Sequence, residues 1–342
     1  MKFTFLKRKF LIVTTLIISI LIVFISWNIN WGGDKTKWII LADGKGYYAY
    51  LPAIFIYHDL NYGFFEEMEM KRCTDPKIFY DYRAYHNGNT TNKYFCGTAL
   101  LQIPFFLTAH LIAQLKGFPA DGYSPIYAIL IQIAGICYLA IGLFFLGKLL
   151  QLYHIKKNTI IIVLTAAVFG TNLFYYTIRE VAMSHVYSFA LISMFLYTVK
   201  YFSIKKQNRY LIFSALLFGL IMLVRPVNGI IIFAIPFVIG SKSVFLDTLK
   251  YTLKNPKYIF INFFFIFMIL SFQPLIYKIS TGSFFIDTYN EESFNFMNPA
   301  FFNFLFSYKK GAFLYTPLLF ISLAGFIFLR KNPFRLISGI IS

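Results

Sequence analysis

The chain has 342 residues, of which 58% are hydrophobic, 21% aromatic and only 13% charged. Soluble domains carry about 25% charge, and several apolar runs here are long enough to cross a hydrocarbon core of about 30 Å, so a soluble globular protein is excluded. The net charge of +18 does not indicate a nucleic-acid binder: Lys7-Arg8-Lys9, Lys156-Lys157, Lys205-Lys206-Arg209, Lys242 through Lys257 and Arg330-Lys331-Arg335 fall between apolar runs, where nucleic-acid binding wants one continuous basic face.

The first apolar run, Phe10 to Ile29, follows a basic start. It is longer than a signal-peptide core and no small-residue cleavage site follows, so it reads as an uncleaved anchor with a cytoplasmic N-terminus. Further spans are expected at 124–148, 159–177, 184–203, 211–224, 226–240, 258–278 and 313–329. An apolar start at 336–342 implies another helix and reads the chain as the N-terminal part of a longer one. No internal repeat is seen.

Residues 98–114 are apolar enough to span, but charge parity argues otherwise. If they do not cross, every basic cluster falls on the cytoplasmic side, with more than half of the 32 Lys and Arg and only one of the 14 acids, Asp247. That is the positive-inside pattern. The segment therefore reads as an interfacial or re-entrant helix, its depth limited by Pro104 and His110. The same test splits 211–240 at Arg225-Pro226, where proline also disfavours a helical Arg225 and removes a backbone donor. The expected fold is an all-α polytopic transmembrane helical bundle, one domain over 1–342. Outward loops lie at 31–123, carrying interfacial helices, and at 279–312, and the protein sits in the cell membrane.

Chemistry concentrates at the outward mouths. LADGKGYYAYLPAIF opens the first loop with Asp43, beside which Gly44 and Gly46 let the backbone turn, while Tyr47, Tyr48 and Tyr50 suit the membrane–water interface. A plain surface acid is the competing reading of Asp43. Cys73 and Cys96 share this loop, where a disulfide is permitted; Cys137 lies in a span. Asn89-Thr90-Thr91 matches a sequon. TIREVAMSHVYSF places Arg179, Glu180 and His185 at a helix mouth, where ionisable groups are costly unless satisfied. Arg225 stands outward between two short helices and suits a phosphate or carboxylate; the alternative is an arginine snorkelling to headgroups. SYKKGAFLYTPLL brings Tyr308, Lys309 and Lys310 to the outer side, against the positive-inside trend, for a lipid phosphate or for headgroup contact. Asp287, Glu291 and Glu292 read as solvated loop acids. No metal-ligand spacing, phosphate loop, dinucleotide fingerprint or nucleophile elbow occurs.

Taken in order, Asp43 in a long first loop, the REVAMSHVYSF turn, LVRPVN between short helices and SYKKGAFLYTPLL resemble a GT-C type membrane glycosyltransferase, the group of protein O-mannosyltransferases and lipid A aminoarabinose transferases. The resemblance covers most of the chain. It implies a polyprenyl-phosphate sugar donor and a lipid, glycan or protein acceptor. Asp43 becomes the first acid and Glu180 the second, with His185 assisting; Tyr47, Arg225, Tyr308, Lys309 and Lys310 become substrate-binding. Where the group carries an adjacent acidic pair this chain has a single Asp, so the cofactor is unknown and a divalent metal ion is an open expectation. The competing class is a transporter or flippase of a lipid-linked or anionic substrate.

Overall fold

The computed structural model describes residues 2–72, 79–288, 297, 299–309 and 311–328. Five helical stretches are long and apolar enough to cross a membrane: Lys9–Asn30 within α1 (Lys2–Asn30), α4 (Gly97–Lys116), α5 (Pro125–Leu152), α8 (Ser184–Lys205) and Pro256–Thr281. The last is two helices, α12 (Pro256–Leu270) and α13 (Phe272–Thr281), meeting at Ser271.

Besides the break at Ser271, the expected span 313–329 breaks at Thr316, and 159–177 and 226–240 are interrupted as well. α6 (Lys157–Phe169) stops before Gly170, and α7 (Leu173–Ile178) resumes where the Leu173 N–H donates to Thr171 Oγ1 at 3.1 Å. A Cβ at Gly170 would lie 2.1 Å from Leu318 of α16 (Pro317–Phe328), so this glycine lets α16 approach. α9 (Asn208–Val224) ends at Arg225, which is extended (φ −160, ψ 110), as the residue before a proline tends to be. The expected helix 226–240 is instead a 3-10 segment, Pro226–Ala234, followed by the short α10 (Ile235–Ile239). Pro226 has no N–H to give, and the Asn228 N–H donates to Arg225 O at 2.9 Å, a bond of 3-10 spacing.

Contacts sort the helix ends into two groups. At one end Lys157 Nζ stands 5.6 Å over the Phe10 ring and Lys148 Nζ 5.5 Å from the Tyr197 ring. Lys200 Nζ donates to Ile239 O at 2.8 Å, and Lys206 Nζ donates to Thr248 Oγ1 of α11 (Lys242–Leu253). The basic segments around Lys9, Lys157, Lys206 and Lys242 thus share one end, as the parity argument requires; the cluster at 330–335 lies outside the described residues. We call this the basic end and the opposite one the loop end.

Length would let α4 cross, yet its partners hold it in the loop-end half. His110 Nδ1 bonds the Tyr127 hydroxyl at 2.6 Å near the start of α5, and the Tyr138 hydroxyl donates to Leu101 O at 3.0 Å. Beyond Tyr138, α5 packs on other helices: a Cβ at Gly142 would meet Phe189 and one at Gly147 would meet Leu11. By length and composition α4 is nevertheless one of the five candidate spans, which the re-entrant expectation did not count.

The loop 31–123 folds as a cap. It contains a 3-10 turn (Gly33–Trp38), α2 (Asp43–Phe55), α3 (Phe65–Arg72), a hairpin of β1 (Arg83–His86) and β2 (Asn89–Asn92), and α4. The strands pair antiparallel through Asn87 (φ 50) and Gly88 (φ 79), the left-handed pair of a two-residue hairpin turn. Aromatic rings form the cap's own core: Tyr47, Tyr62, Phe64, Phe65, Tyr82 and Tyr94 are all buried.

Two expectations about α2 are corrected here. Tyr47, Tyr48 and Tyr50 do not face the interface; each is at most 7% exposed, because hydroxyl partners inside the cap allow burial. Tyr48 donates to Gly122 O and Tyr50 to Tyr94 O at 2.5 Å. Gly44 and Gly46 are not turn glycines but helical positions under close neighbours. A Cβ at Gly46 would stand 2.2 Å from the Tyr94 ring, and one at Gly44 would stand 3.1 Å from Ala182.

Candidate functional site

The site begins with a buried polar anchor. Gln132 of α5 and Asn30 at the end of α1 are fully buried. Gln132 Nε2 lies within hydrogen-bond reach of Ser26 Oγ (3.1 Å), Thr177 O (3.2 Å) and Ile178 O (3.0 Å), and its Oε1 accepts from Asn30 Nδ2 at 2.9 Å. Asn30 Nδ2 also reaches Ile178 O at 2.6 Å. Asn30 Oδ1 has no partner in it, but the network ties the Thr177 and Ile178 carbonyls to α1 and α5 and so holds the turn from Arg179 to Met183 against them. Gly135 completes the seat: a Cβ there would lie 2.0 Å from Val181.

Onto this turn comes the start of α2. Ala42 holds φ 45 and ψ −133, a conformation that residues with a side chain rarely adopt and that the surrounding packing must enforce. Asp43 follows in the first turn of α2, partly exposed, while Gly44 abuts Ala182. The Tyr47 hydroxyl lies beside Ser184, whose buried Oγ has no hydrogen bond of full geometry, and within electrostatic reach of both Arg225 and Asp43. Burial pushes the Tyr47 hydroxyl above its ordinary pKa, with Asp43 adding to this and Ser184 and Arg225 opposing. Tyr176 of α7 lies within reach of Glu180, Arg225 and Asp43 together, and the His185 ring stacks on it at 3.7 Å. Tyr94 closes the group from the cap. Burial first, then its bond to Tyr80, then Asp43 within hydrogen-bond reach all raise its hydroxyl.

Arg225 is delivered by a backbone contact. A Cβ at Gly97 would lie 2.4 Å from Leu223 C and Val224 N, so only glycine lets the start of α4 rest on the end of α9. Arg225 follows immediately, exposed and without an ion pair among the described residues.

Asp43 and Arg225 thus lie within electrostatic reach of both Tyr47 and Tyr176, and His185 stacks on Tyr176. Glu180 flanks the same ring but opens elsewhere. It accepts from the Tyr175 hydroxyl at 3.0 Å and lines a hollow of about 560 Å³ with Lys35, Trp38, Leu41 and Arg179, a hollow that Asp43 does not line. Tyr308 is 92% exposed and Lys309 is exposed, both on the turn before α15 (Ala312–Tyr315), and no described contact joins them to Asp43 or Arg225. Lys310, Glu291, Glu292 and Cys73 lie outside the described residues, so the pairing of Cys73 with the buried Cys96 does too. Among the described residues no three His, Cys, Asp or Glu side chains converge to hold a metal ion. The sequence reading missed Tyr94, Tyr176 and Ser184. The only signal was their nearness in sequence to motifs already singled out. No family model, curated protein or solved structure matches the chain.

Proposed function

We propose that this chain is a membrane glycosyltransferase of the GT-C type, moving a sugar from a polyprenyl-phosphate donor to an acceptor hydroxyl at the loop end, on the extracytoplasmic side. The observation that supports this reading is that Asp43 and Arg225 both lie within electrostatic reach of the hydroxyls of Tyr47 and Tyr176. A carboxylate and a guanidinium brought together without pairing are what transfer from a sugar phosphate requires: a base for the acceptor and a cation for the departing phosphate. Asp43 takes the proton of the acceptor hydroxyl as its oxygen bonds the anomeric carbon. The bond from that carbon to the phosphate oxygen breaks, and the electron pair leaves on the polyprenyl phosphate. The Arg225 fork holds that phosphate. Tyr176 and His185 line the approach, Glu180 serves from the neighbouring hollow, and in this reading Tyr308, Lys309 and Lys310 remain contacts for headgroups or the donor phosphate.

The test is sugar transfer from a labelled polyprenyl-phosphate sugar by the protein in lipid, comparing wild type with Asp43→Asn. The variant keeps the shape and removes the base, so transfer is lost while expression and melting temperature are kept. Full transfer by the variant refutes the catalytic role of Asp43.

A second reading, a transporter or flippase of an anionic or lipid-linked substrate, draws support from the helix breaks at Gly170 and Arg225, since interrupted helices accompany midplane binding sites in transporters. Translocation of the labelled lipid in proteoliposomes without any sugar transfer would favour it.

A further inference from the structure

The basic end carries a groove that plays no part in the proposed reaction. It is a hollow of about 310 Å³ between α8, α9, α10, α11 and α12, with Phe195, Val199, Phe202, Phe218, Ile239 and Leu249 in its wall. Volumes of this order are those of small-ligand sites.

An apolar slot alone would accept any hydrocarbon, but two cations are bonded to residues of its wall, although neither lines it. Lys206 Nζ bonds Thr248, which lines the groove, and stands 6.0 Å over the ring of Phe202, which also lines it. Lys200 Nζ bonds the carbonyl of Ile239, another lining residue, at 2.8 Å and stands 4.5 Å over the Tyr153 ring. An ammonium has several N–H donors, and each of these two has a single described hydrogen bond, to a neutral oxygen. The carboxylate felt at Lys206 is Asp247; no ion pair with either lysine occurs among the described residues. Lys242, Lys250, Lys254 and Lys257 add positive charge along the same end. An anion attached to a hydrocarbon chain would suit both the apolar wall and these lysines.

We propose that this groove binds an anionic phospholipid, with one acyl chain along the Phe195–Phe218 wall and the phosphate at Lys200 and Lys206. The site is independent of the glycosyltransferase reading, because it lies at the opposite end of the bundle from Asp43 and Arg225. Its test needs no turnover.

The full chain is purified, delipidated in neutral detergent, and titrated with phosphatidylglycerol or phosphatidylcholine of identical acyl chains, reading bound lipid by native mass spectrometry. Each lysine near a lipid phosphate contributes on the order of a several-fold gain, so phosphatidylglycerol binds about tenfold tighter or more. Lys200→Gln with Lys206→Gln reduces that preference to within about twofold, by the same reasoning. Lys157→Gln, a basic-end lysine beside Phe10 and away from this groove, leaves it unchanged. A photoreactive residue at Leu249, which lines the groove and is 45% exposed, cross-links phosphatidylglycerol in preference to phosphatidylcholine. The cross-link decides the matter alone if the double variant does not fold. Equal affinity for the two lipids, a preference that survives the double variant or falls with Lys157→Gln, or a Leu249 adduct without headgroup preference would each overturn the proposal.

Discussion

Gly97→Ala tests the link between packing and the site most directly. The new Cβ would stand 2.4 Å from Leu223 C and Val224 N and 2.5 Å from Leu223 O. Carbon atoms pack at about 3.5–4.0 Å, so α4 and α9 must separate by roughly 1 Å. The obstacle is backbone, which no side-chain rotation can clear. The bond from the Cys96 N–H to Gln273 Oε1, now 2.7 Å, must stretch with it. Overpacking of this kind costs about 1–3 kcal/mol. Arg225 is one residue beyond the contact, and a displacement of about 1 Å at a reacting centre costs roughly 100-fold in rate. The assay pairs thermal unfolding of the purified protein with sugar transfer; both fall in Gly97→Ala. Gly325→Ala is the control: nothing lies within 4 Å of its added Cβ, so it gains about 0.5–1 kcal/mol of helix preference and leaves transfer unchanged. Wild-type melting and wild-type transfer in Gly97→Ala would show that the α4–α9 contact does not position Arg225.

Arg225→Lys keeps the charge but loses the two-pronged phosphate contact, so donor binding weakens; Arg225→Ala weakens it further, by about 2–5 kcal/mol if the phosphate is desolvated. Equal donor binding in wild type and Arg225→Lys would mean an arginine that merely snorkels to headgroups. Cysteines placed at 116 and 156 in a background without native cysteines label from opposite sides of the membrane, because α4 stays at the loop end and Lys157 stands at the basic end; labelling from one side refutes the topology and the site with it. Burial raises the hydroxyls of Tyr62 and Tyr94 in the cap above their ordinary value of about 10. The folded cap therefore keeps protons that the unfolded chain gives up, so this stability is present below about pH 10 and is lost as pH rises beyond it. Tyr94→Phe makes the alkaline loss shallower; a difference spectrum between wild type and Tyr94→Phe that shows tyrosinate forming at ordinary alkaline pH in the folded protein would contradict the burial argument.

Long apolar runs and the spacing of basic clusters determined the spans and the gathering of positive charge at one end, because hydropathy and charge act residue by residue along the chain. Pro226 determined the break at Arg225 in the same local way, through a missing donor and a steric limit on its neighbour. The hairpin was legible too: Asn87-Gly88 is its signature, although the all-helical expectation passed over it. The helix that carries Asp43 was not legible. Glycine at 44 and 46 signals a turn and a close contact equally well, and only Ala182 and the Tyr94 ring, brought in from distant segments, decide that these are contact glycines within a helix. The same holds for the site. Asp43, Tyr176 and Arg225 come from the cap, α7 and the end of α9, and no spacing along the chain encodes their meeting. It is decided by the Asn30–Gln132 anchor under the Arg179–Met183 turn and by the missing side chain at Gly97, since both act by fitting together surfaces that the chain alone does not join.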